Sequence, residues 1–159
     1  MKVCVFAGTF DPLTNGHIFV VDKCLEMFDK VIVALGVNTD KKPMFTLEER
    51  TEMIKRQYGD DSRVEVAHFD GMLTKFMQER DVKINVRGIR DQDDYKYETV
   101  MERYNRDMYP EMITLYIPTP KELVHISSSA MRNILSIDGN VEKYVSAPVA
   151  QYIRQLKNK

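Results

Sequence analysis

The sequence predicts an α/β fold built on a five-stranded parallel sheet, and two features of its patterning support this. Short apolar runs rich in β-branched residues alternate with longer segments in which apolar residues recur every three or four positions. The alternation continues through five runs, as in successive right-handed βαβ units with helices on both faces of a sheet. No internal repeat or linker interrupts it. We therefore expect a single domain, residues 1–159, with a doubly wound, Rossmann-like architecture.

The apolar runs define the predicted strands, and the segments between them define the helices. The strands are expected at residues 3–7, 31–37, 64–67, 84–86 and 113–117. Helical stripes are formed by Ile18, Val21, Leu25 and Phe28, by Met72, Leu73, Phe76 and Met77, and by Tyr97, Val100, Met101, Tyr104 and Met108. Another helix is predicted over residues 46–58, because Thr46 and Glu49 have the spacing of a capping box.

Two C-terminal helices are predicted after the fifth strand, where the alternation ends. One spans residues 127–137 and closes at the turn formed by residues 138–140. The other opens at Ser146 with Pro148 in its first turn, and it places Val149 and Ile153 on one face.

The composition is that of a globular protein outside the nucleic-acid-binding and membrane classes. Hydrophobic residues make up 43% of the chain, and 23 basic residues against 24 acidic ones give a net charge of −1. A dedicated nucleic-acid binder usually has a large basic excess. No apolar stretch reaches the length of a signal peptide or a transmembrane helix. Cys4 and Cys24 lack the spacing of a zinc site, and free thiols favour a cytoplasmic location.

The first candidate site element is the segment GTFDPLTNGH, residues 8–17, which we call the signature loop. It leaves the first strand and enters the first helix, and ligands of doubly wound sheets bind at the carboxyl ends of strands. Gly8 and Gly16 permit close approach of a ligand, and helix-start amides favour phosphate. His17 lies at that positive helix end. A local hydrogen bond is the usual role of such a histidine, but the surrounding loop favours a contact with an anion.

Two basic segments follow the second and fourth predicted strands. Lys41 and Lys42 come after the second strand, where a solvated turn is the simpler interpretation of a lysine pair. Arg87-Gly88-Ile89-Arg90 ends the fourth strand. Guanidinium groups suit phosphate oxygens, so we interpret the arginines as an anion site, with surface ion pairing as the alternative.

The last candidate element is Ile126-Ser127-Ser128-Ser129, which follows the fifth strand and opens a helix. One serine would need no role beyond an N-cap. Three in succession place hydroxyls and free helix amides at one point, which favours phosphate, and Arg132 lies one turn further on.

These elements offer cations and N–H donors but few nucleophiles. The sequence contains no HExxH motif, His/Cys cluster or close Asp pair that indicates a catalytic metal held by the protein. A site of this composition suits phosphoryl or nucleotidyl transfer by positioning and charge stabilisation.

The same motifs resemble those of the nucleotidyltransferase superfamily. Residues 14–17, TNGH, match its (H/T)xGH motif, and ISSS matches its helix-start motif. Within the superfamily the chain is most similar to the bacterial phosphopantetheine adenylyltransferase family. That family has GTFDPLTNGH, KKPMFTLEER at residues 41–50, RGIR and ISSS in the same order and spacing. The chain departs from the family pattern at Phe6, Ala7, Lys96, Leu123 and His125.

The resemblance implies an enzyme that moves an adenylyl group from ATP onto 4′-phosphopantetheine, giving dephospho-coenzyme A. Catalytic roles are implied for Thr9, His17, Lys41 and Arg90. Thr9, Lys41, Leu73 and Arg87 are implied to bind phosphopantetheine. The ATP-binding residues would be Thr9, Phe10, His17, Gly88, Ile89, Arg90, Glu98, Leu123, Val124, His125, Ile126, Ser127, Ser128 and Ser129.

The resemblance also implies Mg²⁺ carried by ATP, coenzyme A as a feedback ligand, and a homohexamer without nucleic-acid or membrane partners. Two alternatives remain at this point. One keeps the fold but uses CTP, or nicotinamide mononucleotide as the acceptor. The other is a noncatalytic ATP-binding sensor of flavodoxin-like shape.

Overall fold

The computed structural model describes residues 1–37 and 42–158, which form five strands and six helices. In chain order they are β1 (Val3–Gly8), α1 (Asn15–Met27), β2 (Lys30–Val37), α2 (Leu47–Tyr58), β3 (Val64–Asp70), α3 (Leu73–Glu79), β4 (Ile84–Ile89), α4 (Gln92–Met108), β5 (Ile113–Pro118), α5 (Ser128–Ser136) and α6 (Ala147–Lys157). The strands pair in parallel, so the predicted five-stranded parallel sheet is confirmed.

The strand order is β3-β2-β1-β4-β5, which reverses direction between β1 and β4. The β1–β4 pairing begins at Cys4 and Ile84 and ends at Phe6 and Val86, short of the carboxyl ends of both strands. Because the connections leave β1 and β4 in opposite directions, a crevice forms between these ends. The signature loop follows β1 on one side of that crevice.

The sheet is covered on both faces because its strand residues alternate between two apolar clusters. Cys4, Phe6 and Val33 belong to a larger cluster that includes residues of α1, α2, α5 and α6. Val5 and Ala34 point to a smaller cluster on the other face, with residues of α3. Side chains of a strand point alternately to opposite faces, so short continuous apolar runs are what a sheet covered on both sides requires.

Three elements are longer than the apolar pattern predicts by three residues or more: β3, which reaches Asp70 instead of residue 67, and two that border the crevice. β4 continues to Ile89, because the backbones of residues 87–89 keep pairing with β5 although the apolar run ends at Val86. α4 begins at Gln92, five residues before the predicted stripe, because the Asp91 side chain caps it by accepting a hydrogen bond from Asp94 N. Both extensions bring polar residues to the crevice.

α4 is 17 residues long and none of its residues is buried. Its apolar stripe, formed by Tyr97, Val100, Met101, Tyr104 and Met108, is exposed. In the described ranges, no helix is both long enough and apolar enough to cross a membrane.

Candidate active site

A cavity of about 470 Å³ opens in the crevice between the carboxyl ends of β1 and β4. Its walls come from the signature loop, from β4, from the first turns of α4 and from the start of α5. Most residues predicted from the sequence line it: Thr9, Phe10, His17, Arg87, Gly88, Arg90, Glu98, Ile126, Ser127, Ser128 and Ser129. The topology thus brings three segments that are far apart in sequence to one place.

Several residues named in the sequence analysis do not line this cavity. Leu73 opens α3 and packs partly buried against the smaller apolar cluster. His125 is exposed, with its ring 6.0 Å from that of Tyr144. Ile89, Leu123 and Val124 also lie outside the lining. Lys41 lies outside the residues that the structure describes.

His17 is held in a defined orientation at the start of α1. The backbone N–H of Thr14 donates to Nδ1 of His17 at 3.0 Å, and the Thr14 hydroxyl oxygen lies 3.2 Å from the same atom. An amide N–H can only donate, so Nδ1 is the acceptor and a neutral ring carries its proton on Nε2. The ring also packs edge-on against Phe10, with centroids 5.0 Å apart. His17 is therefore oriented to donate a hydrogen bond from Nε2.

The surroundings of His17 keep it neutral. Desolvation of the ring, followed by the positive charges of Arg90 and Arg87, lowers its pKa to about 4. A neutral imidazole does not need to lose a proton to act as a hydrogen-bond donor. At neutral pH, His17 is thus suited to donate to an anion rather than to accept a proton.

Two acceptors hold Arg87 in place, the carboxylate of Glu98 and the main-chain carbonyl of Ala7. Its Nε and Nη2 donate to the two carboxylate oxygens of Glu98 at 3.0 and 2.7 Å, and its Nη1 donates to the carbonyl oxygen of Ala7 at 2.6 Å. A guanidinium has five N–H groups, and these contacts use three of them. Two N–H groups remain for an anion. The Ala7 contact falls directly beyond the last β1–β4 backbone pair.

Arg90 has a similar anchor on the first turn of α4. Its Nε and Nη2 donate to the Asp94 carboxylate at 3.0 and 3.3 Å, and its backbone N–H donates to the same group at 3.1 Å. Burial alone would raise the pKa of Asp94, but the hydrogen bonds from Arg90 outweigh it and lower that pKa. The ion pairing raised as an alternative for the two arginines is therefore present, and it occurs inside the cavity rather than on an outer surface.

The start of α5 adds N–H donors and a further cation. The Ser127 hydroxyl caps the helix by accepting from Ala130 N at 3.1 Å, and the Ser128 hydroxyl donates to the Pro12 carbonyl at 2.9 Å. Both hydroxyls thus form hydrogen bonds with main-chain groups of the protein. The amides of Ser128 and Ser129 and the positive end of the helix remain to receive phosphate. Arg132 donates to the Ser129 hydroxyl at 3.0 Å and also lines the cavity.

Sequence reasoning did not identify the roles of two buried charged residues, Asp11 within the signature loop and Arg50 on α2. Arg50 donates to the Thr9 carbonyl at 2.9 Å, and the Asp11 carboxylate accepts from Met44 N and Phe45 N at 2.9 Å each. Arg132 Nη1 adds a longer ion-pair contact to Asp11 Oδ2 at 3.9 Å. The positions of both residues within GTFDP and LEER gave no signal, because a buried charge whose hydrogen bonds go to main-chain groups has no sequence pattern of its own.

Among the described residues, the lining of the cavity provides cations and N–H donors but no cysteine side chain. Cys4 and Cys24 are fully buried, and a hydrogen bond with Cys24, together with burial, raises the pKa of Cys4. The described part of the chain contains no group of three or more His, Cys, Asp or Glu side chains placed to hold a metal ion. Such an arrangement can bind a polyphosphate and stabilise charge that develops on it.

Comparisons with known proteins agree with this chemistry. The family model described as cytidylyltransferase-like matches residues 5–134. A phosphopantetheine adenylyltransferase of Clostridium tetani is 35% identical over 99% of both chains, and one of Nautilia profundicola is 40% identical over 89% of this chain and 92% of its own. The solved Plasmodium falciparum nicotinic acid mononucleotide adenylyltransferase complexed with NaAD has a TM-score of 0.66 at 19% identity, covering 98% of this chain and 96% of its own.

The structural likeness shows a shared fold, and the sequence likeness is more specific. A third relative, from Thioalkalivibrio sulfidiphilus, is 36% identical over 96% of both chains and bears the same name as the two bacterial relatives above. The family-model match over residues 5–134 includes every segment that builds the cavity. The chain is therefore a nucleotidyltransferase of the cytidylyltransferase-like family and belongs, within it, to the phosphopantetheine adenylyltransferases.

Proposed function

We propose that this protein transfers the adenylyl group of ATP to the phosphate of 4′-phosphopantetheine, as one nucleotidyltransferase domain spanning residues 1–159. A phosphate oxygen of the acceptor attacks the α-phosphorus of ATP in line with the leaving group. A new P–O bond forms while the bond from the α-phosphorus to the bridging oxygen breaks. Pyrophosphate leaves, and dephospho-coenzyme A remains. The attacking oxygen is already anionic, so the reaction requires no general base.

One observation supports this proposal above the others: His17, Arg87, Arg90 and the start of α5 converge on one cavity at the switch point of the sheet. Two anionic reactants repel each other, and the arginines oppose that repulsion. The neutral His17 ring donates from Nε2 to the α-phosphate as negative charge increases there. A preorganised donor of this kind stabilises the transition state more than the ground state.

We assign the phosphate of the acceptor to Arg87, Thr9 and Lys41. The pantetheine arm of the acceptor is assigned to the region around Leu73. Support comes from the two N–H groups of Arg87 that its internal contacts leave available. Coenzyme A shares the pantetheine arm and the adenylyl group of the product. We expect it to compete for the same site as a feedback ligand.

ATP is assigned to the part of the lining formed by Phe10, His17, Gly88, Arg90 and the start of α5. Ser127, Ser128 and Ser129 supply the helix-start amides for its phosphates, and the assignments of Ile89, Glu98, Leu123, Val124, His125 and Ile126 follow the family pattern. Mg²⁺ accompanies the polyphosphate and neutralises part of its charge. The lining carboxylates Asp94 and Glu98 already bind arginines, so phosphate oxygens of ATP would hold the cation.

The experiment that tests the function measures pyrophosphate release from ATP and Mg²⁺ with and without 4′-phosphopantetheine. We expect release that depends on the acceptor, with dephospho-coenzyme A as the second product. CTP in place of ATP, and nicotinamide mononucleotide in place of the acceptor, serve as controls. Faster pyrophosphate release with CTP or with nicotinamide mononucleotide would show that the proposed substrates are wrong. ATP binding without pyrophosphate release under any combination would support the noncatalytic sensor.

We further propose that the protein works in the cytoplasm as a homohexamer and that the exposed apolar face of α4 contributes to its contacts. Tyr97, Val100 and Tyr104 recur at helical spacing and are each about half exposed or more, and Ile113 extends the patch onto the edge strand β5. An apolar patch of this kind on a soluble protein commonly marks an interface. The free thiols of Cys4 and Cys24 fit a reducing compartment.

Light scattering coupled to size-exclusion chromatography tests the assembly. We expect wild-type protein to elute with the mass of six chains and the Val100→Glu variant to elute as a smaller species. Lys55→Glu, a charge change at an exposed position of α2, is the matched control and should leave the mass unchanged. A Val100→Glu variant that keeps the mass of six chains would exclude the α4 face as a contact.

A further inference from the structure

We propose that Arg50 and Asp11, which do not line the cavity, are positioning residues that fix the signature loop to the chain segment entering α2. Through them the nucleotide side and the acceptor side of the site are held in one geometry. The inference rests on the proposed function, because that function assigns the segment beginning at Lys41 to the acceptor and the signature loop to the nucleotide.

Arg50 binds the signature loop and its own helix start at once. Its Nη1 donates to the Thr9 carbonyl at 2.9 Å, and its Nε donates to the Phe45 carbonyl at 3.1 Å. Arg50 is 4% exposed, and its hydrogen-bond partners among the described residues are main-chain carbonyl oxygens. A guanidinium makes such contacts in fixed directions within its plane, so Arg50 sets the distance and the angle between the two segments.

The contact with Thr9 also orients the next peptide group. In a planar trans peptide the C=O of one residue and the N–H of the next point in opposite directions. Because Arg50 holds the Thr9 carbonyl towards α2, the N–H of Phe10 points away from α2. Arg50 thus fixes the direction of a main-chain donor in the loop that lines the cavity.

Phe10 itself adopts a backbone conformation that needs support. Its φ angle is +51°, in the left-handed region that bulky residues rarely occupy. The carbonyls on either side of it are each held by an arginine: Arg50 binds that of Thr9, and Arg132 binds that of Asp11 at 2.8 Å. The Phe10 ring in turn packs on His17. Release of either carbonyl would let Phe10 relax and would remove packing that orients His17.

Asp11 makes the complementary connection. It is 2% exposed, and its Oδ2 and Oδ1 accept from Met44 N and Phe45 N at 2.9 Å each. A buried carboxylate that binds two successive amides resists both rotation and withdrawal of the segment. Arg50 and Asp11 therefore connect the same two segments with opposite polarity: Arg50 donates to carbonyls, whereas Asp11 accepts from amides.

The consequence for catalysis is specific. An in-line attack requires the acceptor oxygen to lie about 3–3.5 Å from the α-phosphorus and opposite the leaving group, and a displacement of about 1 Å costs roughly 10² in rate. Each substrate can still bind its own side when the connection weakens. Loss of the connection should therefore lower kcat more than it lowers the affinity for ATP measured alone.

The test uses two conservative variants of the full chain, Arg50→Lys and Asp11→Asn. Lysine keeps the charge but cannot direct two hydrogen bonds as a guanidinium does, and asparagine places an amide NH₂ where Asp11 accepts from an N–H. We expect kcat to fall about 10- to 100-fold in each, with the Kd for ATP from calorimetry within threefold of wild type. Arg56→Lys, which alters an exposed arginine on the same helix, is the matched control and should keep kcat within twofold.

Thermal unfolding of each variant separates positioning from folding. The kinetic assays are run well below the melting temperature of each variant. If kcat stays within twofold of wild type in both variants although their melting temperatures are lower, the inference is overturned. If Arg50→Lys does not fold, Asp11→Asn decides by the same criterion. Wild-type protein that shows no acceptor-dependent pyrophosphate release would overturn the proposed function, and the inference with it. Active wild-type protein with unaffected variants would overturn the inference alone.

Discussion

The carboxylate of Glu98 accepts two parallel hydrogen bonds from the guanidinium of Arg87, at 3.0 Å from Nε and 2.7 Å from Nη2. Glu98 is the more buried partner, with its side chain 14% exposed against 28% for that of Arg87. A bidentate pair of this kind fixes the plane of the guanidinium. The remaining N–H groups of Arg87 are therefore presented to the cavity in a set direction.

The family pattern assigns Glu98 to ATP, but its bidentate contact with Arg87 predicts that Glu98→Gln weakens acceptor binding more than ATP binding. A glutamine side chain offers one oxygen to Arg87 and turns an NH₂ group towards the other donor, so the guanidinium plane is no longer fixed. We expect the KM for 4′-phosphopantetheine to rise about tenfold, which corresponds to about 1.4 kcal/mol. Steady-state kinetics with each substrate varied in turn measure the two KM values.

Glu102→Gln is the matched control for this substitution, because Glu102 lies one turn further along α4 and pairs with Arg106 at the surface. Both KM values should remain within twofold of wild type there. A Glu98→Gln enzyme whose KM rises for ATP and not for the acceptor would instead support direct binding of ATP by Glu98.

His17→Ala should reduce turnover severely. The Nε2–H of His17 is the donor assigned to the α-phosphate, and loss of one preorganised donor typically costs roughly 10² to 10³ in kcat. Initial rates of pyrophosphate release measure the effect. His68→Ala removes an exposed histidine of β3 outside the cavity and should leave the rate unchanged. Turnover of His17→Ala within a few-fold of wild type would show that the donor role is wrong.

The low pKa of His17 also predicts a pH dependence of stability. Folding lowers this pKa from about 6.5 to about 4, mainly by desolvation of the ring, so the unfolded chain binds the proton more readily. The stabilising contribution is complete above pH 6.5 and decreases as the pH falls towards 4. Between pH 7 and pH 5 the loss amounts to about 2 kcal/mol. Urea unfolding at both pH values should show a smaller loss in His17→Ala. An equal loss in both proteins would contradict the shifted pKa.

The sheet could be predicted from the sequence because short β-branched runs between helical stripes leave little choice of architecture. The carboxyl end of β4 could not be predicted. Arg87 and Gly88 break the apolar pattern, yet their backbones continue to pair with β5. Pairing of this kind depends on where the neighbouring strand ends, and the local sequence of β4 does not indicate that position.

The segments of the site could likewise be predicted, whereas the contacts between them could not. The strand-end rule placed Arg87 and Arg90 at the crevice, but it gave no partners for them. Asp94 and Glu98 lie four residues apart and face the arginines because α4 begins at Gln92. The acidic residues Asp91, Asp93 and Asp94 are a helix-start signal that would have revealed this, had the helix been extended back from its apolar stripe.

Gly88 leaves space for α1, and filling that space should displace it. A Cβ added at Gly88 would lie 2.9 Å from Cγ2 of Val20, a buried residue of α1 one turn after His17. Gly88→Ala should therefore lower the free energy of unfolding by about 1–3 kcal/mol, as overpacking does. Val20→Ala removes the opposing methyl groups, so the double variant should be more stable than the two single effects predict, by at least about 0.5 kcal/mol. Urea unfolding of the four proteins completes the cycle, and strictly additive effects would exclude the predicted contact.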